Sequence, residues 1–232
     1  MERRNPSPAR VGSDPILRTH SSSGTGRCNP SRSRSVAHHA KCANLQSGLK
    51  IAKGGTIQAT LLFVGPSSHI QPSMRRRHKP HVVKVRSSGF FPRVLPIMTG
   101  ERVALLSGLR NTIQITTKSK RRNLSFTLKQ RGERKIIAFR QPTQESFGSL
   151  EYPWFRLNIR AFDHPLFAMT SRRGIFRIDG VPSGSRIINY WHEFLGGGSK
   201  KIEVPRKGVA RIRVIIPLSE QLRAKIKKCA GP

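Results

Sequence analysis

From position 56 onward, apolar side chains recur at every second residue in short segments separated by clusters of Gly, Pro, Arg and Lys. Phe155, Leu157, Ile159 and Ala161 alternate with Arg156, Asn158 and Arg160, the pattern of a strand with one face in a core and the other toward water. Leu124, Phe126 and Leu128 around Ser125 and Thr127, and Ile113 with Ile115, repeat it on a shorter scale. The same criterion predicts strands at 56–64, 81–86, 102–106, 111–117, 123–128, 135–139, 174–178, 185–192, 201–204 and 209–216, a spacing that points to sandwiches or barrels. No segment of helical period intervenes. The exception is the end of the chain, where Ser219 is placed to cap a short helix with Leu222 and Ile226 on one side and Arg223, Lys225, Lys227 and Lys228 elsewhere.

Residues 1–50 depart from this pattern. Ser, Arg, Pro, Gly and Asn dominate them, and no apolar run repeats at either period, which predicts a disordered basic tail. With 232 residues, 36% of them hydrophobic and 6% aromatic, the remainder suffices for one large or two small cores. The first apolar run, 59–64, is too late and too short to read as a secretory leader, which needs about 7–15 uninterrupted apolar residues near the start. No segment reads as a membrane span. Cys28, Cys42 and Cys229 are odd in number and lie near the chain ends, so no disulfide framework is expected. Cys28, His38, His39 and Cys42 offer four zinc-ligand types, but their spacing fits no common finger.

Charge changes the picture most. The chain carries 44 Lys and Arg against 11 Asp and Glu, a formal net charge of +33. Self-repulsion on that scale calls for counter-ions or an acidic partner. Nucleic acid, anionic polysaccharide and an acidic membrane surface all meet the requirement, and charge alone does not choose among them. The densest runs are Arg75, Arg76, Arg77 and Lys79 around His78, and Lys118, Lys120, Arg121 and Arg122. Both stand between apolar segments and are expected to be loops, either a shared anion-binding face or a solvated surface. Trp154 and Trp191 both fall within apparent core strands, which leaves no aromatic platform of the kind single-strand binders use.

The segments 163–184, DHPLFAMTSRRGIFRIDGVPSG, and 188–196, INYWHEFLG, resemble the carboxypeptidase regulatory-like, transthyretin-like β-sandwich. Its core is read as a hairpin, with Gly174 opening a strand, Phe176 and Ile178 pointing one way, and Val181-Pro182 with Gly184 turning into the next strand. In proteins with that likeness, the module follows a plastocyanin-like cupredoxin domain in periplasmic or secreted bacterial proteins, often labelled methylamine-utilisation-like. Here GFFPRVLPIMTGERVALL, 89–106, resembles the cupredoxin strand in which Phe-x-Pro precedes a Gly-Glu turn, and SLEYPWFRLNIRAFDHP, 149–165, resembles the copper-loop strand.

The resemblance spans about 55–217 and is weakest between 108 and 148. It implies an all-β chain: a basic tail at 1–50, a cupredoxin-like Greek-key sandwich at 51–162, a small transthyretin-like sandwich at 163–217 with strand 55–65 a candidate member, and a short basic helix or tail at 218–232. It also implies a periplasmic or secreted location, although no leader is visible.

A blue-copper site takes two His, one Cys thiolate and usually a weak axial Met. By the resemblance, the Cys position falls at Ser149, a His position at Tyr152, the axial Met at Phe155 and the upstream His within 111–113. None of these is a copper donor, so the implied domain is metal-free and no cofactor is expected.

Catalysis has little to draw on. Asp163, His164, His192 and Glu193 are the noteworthy acid–base candidates. The first two are read as fixing a link between domains, and His192-Glu193 as bonding to a turn, because a catalytic set needs a third group. No nucleophile elbow, zinc-protease helix, phosphate loop or dinucleotide fingerprint is present. The expectation is a non-enzymatic binding or structural protein contacting an anionic polymer or a protein partner. A basic nucleic-acid-binding accessory protein is the first alternative, and a copper carrier using His78, His81 or the tail histidines the second.

Overall fold

The computed structural model describes residues 9–13, 49, 51, 56–65, 79–117 and 123–230. Along the chain the strands are β1 (Ala9–Ser13), β2 (Leu61–Val64), β3 (His81–Arg86), β4 (Gly89–Phe91), β5 (Val94–Met98) and β6 (Arg102–Ser107). They continue as β7 (Ile113–Thr117), β8 (Ser125–Leu128), β9 (Arg134–Ala138), β10 (Thr143–Ser149) and β11 (Arg156–Phe162). The series closes with β12 (Phe167–Met169), β13 (Phe176–Val181), β14 (Gly184–His192), β15 (Gly196–Val204), β16 (Val209–Ile212) and the helix α1 (Glu220–Ala230). The all-β class expected from the alternation is what the chain adopts. Its described residues fall into two compact units, one holding β3–β11 and the other β1, β2, β12–β16 and α1.

In the first unit, a four-stranded sheet in the order β4-β3-β6-β9 and a five-stranded sheet in the order β5-β11-β10-β7-β8 share one core. The arrangement is consistent with the Greek-key sandwich implied by the resemblance. The core takes Val83, Val85, Phe90, Val103 and Leu105 from one sheet and Ile113, Ile115, Phe147, Leu157 and Ile159 from the other, each wholly buried. Apart from Phe90 and Phe147, these lie in strands that the period-two pattern predicts, and burying each such side chain is worth roughly 1.5–3 kcal/mol. Two pairs run parallel, β3 with β6 and β5 with β11. Between β4 and β5 the chain passes from one sheet to the other through a cis Phe91-Pro92 peptide bond.

Asn158 faces opposite to Leu157 and Ile159, where the alternation predicts solvent, yet it is buried. Ser146 Oγ donates to its Oδ1 at 2.7 Å, which meets part of the cost of withdrawing an amide from water. Glu101 is buried at the turn before β6; its Oε2 accepts the Met98 N–H at 2.9 Å and lies 2.8 Å from His81 Nε2.

The second unit has a four-stranded sheet in the order β12-β2-β14-β15 and a three-stranded sheet in the order β13-β1-β16. Leu62, Val64 and Ile188 from the first and Phe176, Ile178 and Val181 from the second meet in its core. Within it, Thr170 Oγ1 accepts the Thr60 N–H and donates to the Ile57 carbonyl, both at 2.9 Å. The helix is capped as its sequence predicts: Ser219 Oγ accepts the Leu222 N–H at 3.3 Å, and Leu222 is buried.

Three expectations need correction. Residues 9–13, expected within a disordered tail, form β1, antiparallel to β13 and parallel to β16. A five-residue strand with one large apolar residue, Val11, gives no periodicity, and its backbone pairing with two neighbours supplies what sequence pattern does not. The rest of 1–50, Leu49 apart, lies outside the described residues. The hairpin expected across Val181-Pro182 does not form, because β13 and β14 belong to different sheets and the chain crosses between them there. Phe176 and Ile178 nonetheless point into the core together. Trp154, expected in a strand, sits half-buried in the β10–β11 connection.

Candidate functional site

The end of β10 and the loop that follows it hold three of the positions that the resemblance matches to copper ligands, Ser149, Tyr152 and Phe155; the fourth falls within 111–113. Phe155 is wholly buried, its ring edge-on to Phe90 at 5.5 Å. Tyr152 stacks on Phe155 at 4.7 Å and 21°, and Trp154 meets Tyr152 edge-on at 5.5 Å. Aromatic contacts of this geometry add about 0.5–1.5 kcal/mol each beyond area burial. The Ser149 hydroxyl donates to Glu151 Oε2, and the Tyr152 N–H reaches Ser149 Oγ at 3.4 Å. Glu151 Oε1 accepts the Gln114 N–H at 3.0 Å, tying the loop to the start of β7.

Burial alone would raise the Glu151 pKa, but hydrogen bonds from the Ser149 hydroxyl and the Glu151 and Gln114 amides hold it below the ordinary carboxylate value. In the segment 111–113, matched to the upstream His, Thr112 Oγ1 donates to the Lys129 carbonyl at 3.3 Å. A hydroxyl, a phenol and a phenyl ring locked into one packed cluster do not fit copper. Among the described residues no group of three or more His, Cys, Asp and Glu is placed to hold a metal ion.

A second feature was not anticipated from sequence. A groove of about 690 Å³ opens where the ends of β3 and β6, the β6–β7 loop and the β8–β9 turn meet. Lys84, Arg86, Arg110 and Arg131 line it around Leu106, Ser107 and Leu109, with no acidic side chain in the lining. Its walls are tied by backbone hydrogen bonds from Gly108 N to Val85 O at 2.7 Å, Gly132 N to Ser107 O at 2.8 Å and Ser107 N to Glu133 O at 2.9 Å. At Gly108 a Cβ would meet the Val85 carbonyl oxygen at 2.9 Å, so the close approach needs glycine. The nearby Glu133 carboxylate accepts the Lys129 and Gln130 N–H groups inside its own turn. The Arg86 guanidinium lies over the Phe91 ring, 5.3 Å from its centroid. Each of the four cations stands apart from the basic runs in sequence, so only their joint exposure on one strand and two connections marks them.

The anion-binding residues expected from sequence fare differently. Arg75, Arg76, Arg77, Lys118, Lys120, Arg121 and Arg122 lie outside the described residues, as do Cys28, His38, His39, Cys42 and His78. Lys79 is exposed just ahead of β3. His81 is held against Glu101. His164 is buried beside Phe162, with ring centres 5.6 Å apart, and burial lowers its pKa while the Asp163 charge pulls the other way. His192 Nδ1 accepts the Phe194 N–H at 3.2 Å, bonding to its turn. Asp163 and His164 fall in one unit, and His192 and Glu193 in the other.

No family model and no curated protein matches the sequence. Similar solved structures include a copper-containing nitrite reductase from Thermus scotoductus, 21% identical over 36% of this chain and 22% of that one, with a TM-score of 0.32. A purple cupredoxin from Nitrosopumilus maritimus is 14% identical over 35% of this chain and 99% of its own, with a TM-score of 0.32. A reduced amicyanin variant is 11% identical over 44% of this chain and 98% of its own, with a TM-score of 0.34. This chain thus spans about a fifth of the nitrite reductase. Among its described residues no helix is long and apolar enough to cross a membrane.

Proposed function

We propose that this chain is a non-enzymatic β-sandwich binding protein, a metal-free cupredoxin-like unit joined to a carboxypeptidase regulatory-like unit, whose partner is an anionic polymer. The observation that carries the reading is the balance of 44 basic against 11 acidic residues, a surplus that makes polyanion association favourable through counter-ion release. The packed loop at Ser149, Tyr152 and Phe155 supports the metal-free part, since the positions matched to ligands serve as core and turn.

The test is a salt titration of the full chain against dextran sulfate, duplex DNA and single-stranded RNA, with uncharged dextran as blank. The reading expects binding to a polyanion that falls steeply with salt, and none to dextran. A chain that binds no polyanion even at low salt, or binds with no salt dependence, removes it.

A further inference from the structure

Positive charge is spread along the whole chain, but the fold gathers part of it around a cavity. We propose that the groove between Lys84, Arg86, Arg110 and Arg131 is a binding site for an acidic polysaccharide, taking a short run of sugar units that carry sulfate or carboxylate groups. This rests on the reading of the chain as a polyanion-binding protein and names the place and the ligand class.

Lys84 and Arg86 project from the same face of β3, two residues apart, while Arg110 arrives on the β6–β7 loop and Arg131 on the β8–β9 turn. All four side chains are exposed, and no carboxylate lines the space between them. Three are guanidinium groups, whose planar forks pair with two oxygens of one anionic group at a time.

The floor argues for the rest of the ligand. Leu106 is half-buried and offers apolar surface that suits the C–H face of a sugar ring, while Ser107 and Leu109 are buried beneath it, the Ser107 hydroxyl bonded to the Leu109 backbone. No aromatic side chain lines the groove, so the stacking that holds single-stranded bases is missing. The 690 Å³ volume falls within the roughly 300–1,000 Å³ of small-ligand sites. The backbone bonds that tie Gly108, Ser107 and Gly132 fix the walls before any ligand arrives, which limits the ordering cost of binding.

The experiment compares two variants of the full chain that each lose four positive charges. One replaces the groove cations, K84A/R86A/R110A/R131A. The other replaces exposed cations in the other unit, R172A/R173A/R206A/K207A. Binding to dextran sulfate, polygalacturonate and single-stranded RNA is measured by fluorescence anisotropy at fixed salt.

The proposal expects the groove variant to lose about a hundredfold in affinity for at least one polysaccharide, and the control variant less than about threefold. Circular dichroism and a urea midpoint check folding. Should the groove variant fail to fold, R86K/R110K/R131K keeps the charge and removes the forks, with an expected loss of about tenfold. Equal losses in the two quadruple variants overturn the groove site while leaving polyanion binding intact. Groove-dependent binding of RNA that exceeds binding of either polysaccharide overturns the ligand class. Absence of binding to every polyanion overturns the proposed function itself, and the groove with it.

Discussion

The Tyr152 ring lies on the ring of Phe155, centroids 4.7 Å apart and 21° from parallel, at two of the four positions that the resemblance matches to copper ligands. The stack has a mechanical consequence. Phe155 packs edge-on against Phe90 in the core and, through its stack with Tyr152, holds the loop that carries Glu151 and Tyr152. Phe155→Ala is expected to destabilise the chain by about 3–5 kcal/mol through lost burial and a residual cavity. Phe155→Met, close in volume, is expected to cost less than about 1.5 kcal/mol. Urea denaturation followed by tryptophan fluorescence measures both, and equal costs would show that the ring is not packed as described.

Glu101 organises the turn into β6 from inside the fold. Its Oε2 serves the Met98 N–H and stands 2.8 Å from His81 Nε2. Glu101→Ala leaves a buried amide without its acceptor, which costs about 1–3 kcal/mol. Glu101→Gln keeps an oxygen in place and should recover part of that loss, as read from urea midpoints at one pH.

His164 gives stability a pH dependence with a defined sign. Burial lowers its folded-state pKa, and Asp163 only partly offsets this. As pH falls through the ordinary imidazole range, near ~6.5, the unfolded chain takes up the proton first. The contribution of the neutral ring is therefore full above that range and lost as pH drops toward the lower folded value. Urea midpoints between pH 8 and pH 5 should decline less steeply in His164→Gln than in the parent chain. Parallel declines would refute the assignment.

The strands readable from sequence are those whose inward residues are large and evenly spaced. In β11, Leu157, Ile159 and Ala161 are buried as their alternation requires, and in β7 so are Ile113 and Ile115. β10 was not expected, because Thr143–Ser149 carries Phe147 as its one large apolar residue. It is a strand because its backbone pairs with β11 on one side and β7 on the other. β1, with Val11 alone, is held in the same way by β13 and β16. Sequence neighbours β13 and β14 looked like a hairpin, yet the turn chemistry at Val181-Pro182 serves equally to carry a chain from one sheet to another.

By itself, the sequence determined that the chain is all-β, where most inward faces lie, and that its charge is strongly positive. Those properties are local: residue type and period carry them. The tertiary structure decided which strands pair, that Asn158 and Glu101 are buried, and that Lys84, Arg86, Arg110 and Arg131 surround one groove. These depend on backbone pairing and on residues brought together from β3, the β6–β7 loop and the β8–β9 turn. A cation alone in sequence reads as a solvated surface residue, and four of them become a site only when the sheet and its connections place them around one cavity.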